Sequence, residues 1–358
     1  MLSLSRVLVG AALISSCFFG APVQAQVQLP TPSSFGVNLA GAEFGADKLP
    51  GVAGHEYTWP SNAELDYLRD KGCRLIRLPF LWERLQPQLG APLDEPKTRE
   101  LEEVLKQCNA RGIRVVLDCH SYARYRGQII GTPEVSVQQF ADFYRQLGLR
   151  LKDQPAMWAF GLMNEPHDMG DATRWPKAAQ AATNAVRASG AKQWIFVGGD
   201  AWSGAWTWRQ NNENLDIADP LGRVVYEAHQ YFDKDGSGTY AHSYDEDKTS
   251  STIGSERLAP FTSWLRDKKK RGFIGEFGAP NTDRRYHALL RDFVSAMRRE
   301  NLGGTYWAGG AWWGDYKLTI EPTDDFQTDR PSMKILAPLF DGASAAREGE
   351  GKMGRVGE

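Results

Sequence analysis

Residues 157–166 read MWAFGLMNEP, an apolar run followed at once by an amide, a carboxyl group and a proline. The apolar part is typical of a buried strand. Burying Glu165 without partners is expensive, so a fold keeps a carboxyl group at the end of such a strand only where it is paired, solvated or used. The rest of the chain has to supply a partner or a use for this residue.

Short apolar runs recur along the chain, and amphipathic stretches with apolar spacings of three and four separate them. The eight strand-like segments are 35–41, 75–81, 113–119, 157–163, 194–199, 224–230, 273–277 and 304–308. The helix-like segments are 61–72, 96–112, 135–152, 173–189, 258–271 and 283–301. Three of them end in a glycine just before the next strand, Gly72, Gly112 and Gly272, which indicates helix ends.

Alternating strands and helices predict a parallel sheet with helices outside it, and eight such units in about 300 residues predict a single closed (β/α)8 barrel. An open doubly wound sheet is the alternative. It would require a glycine-rich phosphate turn or a switch point, and Gly-x-Gly-x-x-Gly is absent after the first strand. Two long segments, 201–220 and 233–251, are predicted as loops after strand ends, the first with at most a short helix.

The N-terminal residues have the pattern of a targeting segment. Arg6 precedes the apolar run Val7–Ile14, and small residues lead to Val23-Gln24-Ala25, so we expect residues 1–25 to be a signal peptide and the protein to be exported. The alternative is a lipoprotein, because the stretch ending at Cys17 resembles a bacterial lipobox. No later apolar run reaches the roughly 18 residues of a transmembrane helix, and we expect none.

We expect residues 26–342 to form the folded domain and the polar, glycine-rich residues 343–358 to be a disordered tail. The chain of 358 residues has a net charge of -2 and no long basic run, which excludes a nucleic-acid footprint. Cleavage after Ala25 leaves three cysteines, Cys73, Cys108 and Cys119. We expect them to be small buried hydrophobic residues with at most one disulfide, whose pairing stays open.

A barrel carries its chemistry at the carboxyl ends of its strands, where Glu165 follows the fourth strand. Glu276, in the sequence FIGEFG, ends the seventh, so the two carboxyl groups would face each other across the barrel mouth. Such a pair is the equipment of glycoside hydrolysis, in which one group attacks the sugar and the other protonates the leaving oxygen. A gap of about 5 Å favours retention of anomeric configuration, and roughly 6.5–9.5 Å favours inversion.

Asn-Glu-Pro after strand four and Gly-Glu-Phe-Gly after strand seven, in this order, resemble glycoside hydrolase family 5 and its endo-β-1,4-glucanase branch. The resemblance extends over residues 35–339. It implies that Glu165 is the acid/base and Glu276 the nucleophile. It further implies that Asn164 holds the sugar's 2-hydroxyl and that Arg77 supports the nucleophile's charge.

The resemblance also supplies the remaining substrate-binding positions, which are His120, His229, Tyr231 and the aromatic platform Trp307. Flat aromatic rings match the apolar faces of glucose units. We therefore expect some of the tryptophans in the strand-end loops to line an extended cleft, with Trp202 foremost; the others are Trp206, Trp208, Trp312 and Trp313.

The sequence thus predicts a retaining endo-β-1,4-glucanase that acts on cellulose or related β-glucan as a monomer without a cofactor. No metal site is expected, because the first strand lacks the His-x-His cluster of metal-dependent barrel hydrolases. Two alternatives stay open: a β-mannanase or xyloglucanase of the same family, and a catalytically silent carbohydrate-binding barrel. The second is disfavoured because the chain keeps both Glu165 and Glu276.

Overall fold

The computed structural model describes residues 31–340 and shows a closed barrel of eight parallel strands, which confirms the predicted fold. Each strand pairs with its neighbours in chain order, and the eighth pairs with the first. The strands are β1 Phe35–Leu39, β2 Leu75–Phe80, β3 Arg114–Cys119, β4 Met157–Gly161, β5 Trp194–Gly198, β6 Val224–Gln230, β7 Gly272–Phe277 and β8 Gly303–Gly309.

Long helices cover the outside of the barrel, and three short helices of four or five residues lie in the connecting segments. They are α1 Asn62–Asp70, α2 Trp82–Leu85, α3 Glu95–Ala110, α4 Val137–Leu151, α5 Arg174–Ala188, α6 Trp208–Asn212, α7 Ile253–Lys268, α8 Arg284–Arg299 and α9 Met333–Leu336. Ser61 and Ser136 begin α1 and α4 with reciprocal capping boxes, in which the serine side chain accepts from a backbone amide one turn later. Local polar residues therefore fix where these helices start.

The barrel interior is layered because successive side chains of a strand point to opposite faces. Near the amino ends of the strands, one apolar cluster fills the barrel: Leu75, Val116, Trp158, Ala159, Phe196, Val225 and Phe273. Two residues further along three of these strands stand Arg77, Asp118 and Glu227, all buried. The same alternation carries His120 and His229 to the mouth. The apolar floor thus excludes water from below a polar upper layer.

One predicted helix end is wrong. Gly72 and Gly112 take positive φ angles of 86° and 67° after α1 and α3, as a helix-stop glycine does. Gly272 instead begins β7, and the left-handed residue after α7 is Lys269, with φ 53°. Gly272 is required for space: a Cβ there would lie 2.3 Å from Leu265 Cδ1.

The long loops after β5 and β6 are found as predicted, with only the short helix α6 in the first. Cys108 and Cys119 are buried free thiols, and the buried Cys73 thiol donates to the carbonyl of Leu75 at 3.1 Å. The predicted signal peptide, the lipobox at Cys17 and the tail lie outside the described residues. Within residues 31–340, no helix has the length and apolar character needed to cross a membrane.

Candidate active site

Glu276 lies at the end of β7 with each carboxylate oxygen held by a donor. Arg77 Nη1 donates to Oε1 at 3.0 Å, and the Tyr231 hydroxyl donates to Oε2 at 2.7 Å. Burial raises the pKa of Tyr231 well above its ordinary value, and the charge of Glu276 adds to this, so the phenol stays a donor. The two donors hold the Glu276 carboxyl group in one orientation at the mouth of the barrel.

Arg77 is the cation at the centre of the site, and it is fully buried. Its guanidinium forms ion pairs with Glu276 at 3.0 Å, Asp118 at 3.0 Å and Glu227 at 2.9 Å. Burial alone would lower the pKa of Arg77, but these three carboxylates outweigh burial and raise it. The cation therefore persists and offsets much of the negative charge in this layer. Asn38 completes the cradle by accepting from Nη1 at 3.0 Å.

Asn164 is fixed at both ends of its carboxamide. Its Oδ1 accepts from Arg77 Nη2 at 2.7 Å, and because arginine can only donate, its Nδ2 must face His120 Nε2, 3.2 Å away. His120 Nδ1 in turn lies 2.8 Å from Asp118 Oδ2. His120 is therefore the tautomer with its proton on Nδ1, and these two contacts use only one of the two Nδ2 hydrogens of Asn164.

Glu165 follows β4 with a left-handed backbone, φ 43°, a conformation that is rare for a residue with a side chain and recurs at functional sites. Its Oε1 lies 2.7 Å from His229 Nδ1. Burial lowers the pKa of His229, but the charge of Glu276 and the hydrogen bonds to Glu165 and Glu227 outweigh this and raise the pKa to about 10. Glu165 is thus hydrogen-bonded to protonated His229, whereas Glu276 is paired with the guanidinium of Arg77.

The two carboxyl groups meet in one place. An oxygen of Glu165, an oxygen of Glu276 and a ring nitrogen of His229 lie within 4.8 Å of one another. In residues 31–340 this is also the one set of three such side chains with the spacing of a cation site. The donors already occupying these atoms, Arg77 and Tyr231 on Glu276 and His229 on Glu165, compete with any cation.

A cleft runs across the barrel mouth on both sides of this pair. One half has a volume of 670 Å³ and is lined by Glu165, Trp202, Trp206 and residues of the two long loops. The other half, of 530 Å³, is lined by Glu43, Phe44, His120, Trp307 and Trp313. Tyr122 lines both halves, so the two cavities adjoin at this side chain.

Aromatic rings line the cleft, and they include some but not all of the loop tryptophans. Trp307 stacks on His120 at 5.5 Å, and Trp202 stacks on His167 at 4.6 Å with half of its surface exposed. Trp206 and Trp313 line the two halves. Trp208 is fully buried against Phe261 and Trp264, so it is a packing residue and not one of the tryptophans that line the cleft. Trp312 is exposed and lines neither half.

The structure brings together all the other predicted site residues. It adds four that the sequence analysis did not single out: Asn38, Asp118, Glu227 and Tyr122. Asp118 and Glu227 could have been found, because each stands two residues before a site histidine and so shares its face of the strand. Tyr122 follows β3 in a left-handed turn of φ 53°, for which no sequence signal was available.

Comparison with known proteins gives consistent matches over nearly the whole described chain. The family model "Cellulase (glycosyl hydrolase family 5)" matches residues 35–312. Endo-beta-1,4-glucanase B of Emericella nidulans is 40% identical over 295 residues, which are 81% of this chain and 86% of that protein. Endo-beta-1,4-glucanase A of the same organism is 40% identical over 313 residues, covering 86% and 92%.

Solved structures give the same result. An endoglucanase of Pseudomonas stutzeri, determined in complex with cellobiose, superimposes with a TM-score of 0.82 at 37% identity over 87% of this chain and 93% of that one. An endo-beta-1,4-glucanase of Xanthomonas axonopodis pv. citri gives a TM-score of 0.81 at 39% identity over 87% and 99%. The similarity therefore includes the barrel and the strand ends that carry the site.

Proposed function

Because the chain belongs to glycosyl hydrolase family 5, we propose that Glu276 is its nucleophile and Glu165 its acid/base. The family predicted from the ordered motifs is confirmed, and the protein is an endo-β-1,4-glucanase that hydrolyses internal β-1,4-glucosidic bonds with retention. The observation that carries the residue assignment is the approach of the two carboxyl groups to within 4.8 Å, each in a different electrostatic setting. This gap suits direct attack and leaves too little room for an intervening water.

In the first step the Glu276 carboxylate attacks the anomeric carbon while the bond from that carbon to the leaving oxygen breaks. Glu165 gives its proton to that oxygen, so the departing sugar leaves as a neutral alcohol. In the second step Glu165 takes a proton from water, the water oxygen attacks the anomeric carbon, and Glu276 is released. Two inversions at one carbon give net retention.

The polar groups around the pair hold the sugar in place. We propose that the second Nδ2 hydrogen of Asn164 binds the 2-hydroxyl of the sugar being cleaved, and that Trp307 carries the apolar face of that sugar. Glu165 lines only the half of the cleft that contains Trp202 and Trp206. The leaving part of the glucan therefore occupies that half, and the part that becomes attached to Glu276 occupies the half with Trp307 and Trp313.

Azide rescue tests the two assignments separately. The Glu276→Ala variant should lose turnover while it keeps its fold and oligosaccharide binding, and azide should restore cleavage of an activated aryl cellobioside with formation of the α-glycosyl azide. The Glu165→Ala variant should react with the same substrate and azide to give the β-glycosyl azide, because its nucleophile is intact. Normal hydrolysis of carboxymethylcellulose by Glu276→Ala would overturn the proposal.

Parallel assays define the polysaccharide. We propose that the polymer is cellulose or a related β-glucan, so reducing-sugar release from carboxymethylcellulose should exceed release from mannan and xyloglucan. Dominant release from mannan or xyloglucan would move the substrate to another polymer of the same family. Binding without release from any of the three would identify a silent carbohydrate-binding barrel.

We also propose that the enzyme is exported and acts as a monomer, since both carboxyl groups and the aromatic rings of both halves of the cleft are supplied by a single barrel. Expression of the full chain in a bacterial host should yield an extracytoplasmic protein that begins at Gln26, by N-terminal sequencing, with the mass of one chain in sedimentation. A lipid on Cys17, seen by mass spectrometry, would show the lipoprotein route instead.

A further inference from the structure

Two strands of the barrel each carry a carboxylate two residues before a histidine, but the two histidines contact different groups. On β3, Asp118 stands two residues before His120 and lies 2.8 Å from its Nδ1. On β6, Glu227 stands two residues before His229 and lies 3.2 Å from its Nε2. Both carboxylates are buried and both contact Arg77.

The two histidines differ in what their second nitrogen meets. His120 Nε2 faces the amide of Asn164, whereas His229 Nδ1 faces the carboxyl group of Glu165. One pair therefore supports a sugar-binding side chain, and the other supports the acid/base. This difference gives a matched comparison inside a single molecule.

We propose that Glu227, which lies beneath the cleft and does not reach the substrate, is the positioning residue that holds a second proton on His229, and that this is the proton Glu165 delivers to the leaving oxygen. The proposal rests on the assignment of Glu165 as acid/base. Glu227 would act through His229, not on the sugar.

The hydrogen-bonding chemistry of His229 supports this. An ionised carboxylate can only accept, and both ring nitrogens face carboxylate oxygens, so both nitrogens donate and the ring is an imidazolium. The proton on Nδ1 needs to move only along the 2.7 Å contact to reach Glu165 Oε1. His229 and Glu165 therefore share this one proton across their contact.

Carboxylates on several elements face His229 and favour its protonated ring. Glu165 faces it from the segment after β4, Glu276 from β7 with an oxygen 3.6 Å from Nδ1, and Glu227 from β6 itself. Arg77 on β2 is the cation that contacts two of these carboxylates, Glu227 and Glu276. Gly275 on β7 makes the space, because a Cβ there would lie 2.3 Å from Glu227 Oε1.

The Glu227→Gln variant isolates the charge, since glutamine has the same size and can still accept from Arg77. Removing this negative charge lowers the affinity of the His229–Glu165 pair for its shared proton. The basic limb of the profile of kcat/KM against pH on cellotetraose should therefore move down by about one to two pH units. The matched control is Asp118→Asn, which makes the same change beside the other histidine and should move that limb less than half as far.

The leaving group separates an acid/base effect from general damage. A 2,4-dinitrophenolate departs without protonation, so Glu227→Gln should cleave 2,4-dinitrophenyl β-cellobioside within about threefold of the wild-type kcat/KM. The same variant should lose at least about tenfold on cellotetraose at the wild-type optimum. Glu227→Asp, which keeps the charge, should retain a basic limb close to wild type.

Equal losses on both substrates, or a basic limb no lower than that of Asp118→Asn, would overturn the proposal. Glu165→Gln is the reference variant. If Glu165→Gln loses as much activity on 2,4-dinitrophenyl β-cellobioside as on cellotetraose, the acid/base assignment itself fails. If Glu165→Gln loses activity only on cellotetraose but Glu227→Gln loses it equally on both substrates, only the role of Glu227 fails. Should Glu227→Gln not fold, His229→Gln decides the matter, because removing the proton-holding ring should move the basic limb down and an unmoved limb would contradict the proposal.

Discussion

At the scale of single residues, the site depends on how one guanidinium shares its charge. Arg77 pairs with three carboxylates, but Glu165 lies outside its reach and is bonded to His229 instead. Two chemically identical side chains therefore meet different partners within 4.8 Å of each other. That asymmetry is the physical basis for giving them different tasks.

The Tyr231 hydroxyl should contribute to catalysis through its hydrogen bond to Glu276. We expect Tyr231→Phe to lower kcat/KM on cellotetraose by an amount equivalent to about 1.5–3 kcal/mol, the usual worth of a hydrogen bond to a charged group. The control is Tyr67→Phe, which removes a similar bond, 2.8 Å to Asp329, outside the cleft and should leave kcat/KM unchanged. Equal kinetics for Tyr231→Phe and wild type would contradict the role given to this bond.

The sequence predicts site residues well where a strand end determines their position. Glu165, Glu276 and both histidines follow or end predicted strands, and the barrel then forces them to the same mouth. The sequence did not separate Trp208 from the tryptophans that reach the cleft, because nothing in a Trp-rich loop tells which rings turn inward; Trp208 lies in the short helix α6 and is buried. Asp118 and Glu227 were passed over although each stands two residues before a site histidine, because their ion pairs with Arg77 on another strand are visible only in the folded chain.

At the scale of elements, β3 and β6 repeat one pattern: an apolar floor residue, a buried carboxylate and a histidine at the mouth. The pattern arises because every second side chain of a strand points to the same face. A larger side chain on a neighbouring strand should therefore displace the buried carboxylate. Every helix and strand predicted from the sequence is present in the described chain, whereas the predicted helix end at Gly272 is wrong. A glycine before a strand stops a helix in some places and serves close packing in others, and only the contacts of the folded chain distinguish the two.

Substitution of Gly275 tests the packing of β7 against Glu227. The added Cβ of Gly275→Ala would lie 2.3 Å from Glu227 Oε1, so we expect a loss of about 1–3 kcal/mol in the free energy of unfolding, together with reduced activity. Gly222→Ala is the comparison, because nothing lies within 4 Å of its Cβ and its cost is only the left-handed φ of 61°, about 1–2 kcal/mol. Full activity of Gly275→Ala would show that the Glu227 layer tolerates displacement.

The capping box of α4 should contribute measurably to stability. The Ser136 hydroxyl accepts from the Gln139 amide at 3.2 Å, and the Gln139 side chain accepts from the Ser136 amide at 2.9 Å. Ser136→Ala should lower the free energy of unfolding by about 1 kcal/mol in urea titrations. Thr173→Ala, at the start of α5, removes no side-chain cap and should have a smaller effect; equal effects would contradict the capping argument.

At the scale of the whole molecule, buried titratable groups link stability to pH. Burial raises the pKa of both Glu43 and Glu321 from 4.5 to about 7. The raised pKa of His229, about 10 against an ordinary 6.5, acts at higher pH. In each case the folded state binds the proton more tightly than the unfolded state, so the stability contribution is complete below the ordinary pKa and is lost as pH rises through the folded one.

Glu321 and His229 therefore act in different windows, and each serves as the control for the other. The urea midpoint of Glu321→Gln should fall less than that of wild type between about pH 4.5 and 7, with no change in slope above that range. The midpoint of His229→Gln should fall less than wild type between about pH 6.5 and 10. Parallel curves for wild type and both variants would show that neither group is linked to folding.

The barrel as a whole brings motifs that are far apart in the sequence to one reaction centre. The central claim is that the carboxylate of Glu276 forms the covalent bond to the anomeric carbon of the sugar. The most direct measurement is trapping with a 2-deoxy-2-fluoro-β-cellobiosyl fluoride, followed by proteolysis and mass spectrometry of the labelled peptide. We predict one fluorocellobiosyl group per chain on the peptide that contains Glu276. A label on the peptide that contains Glu165 would contradict the account.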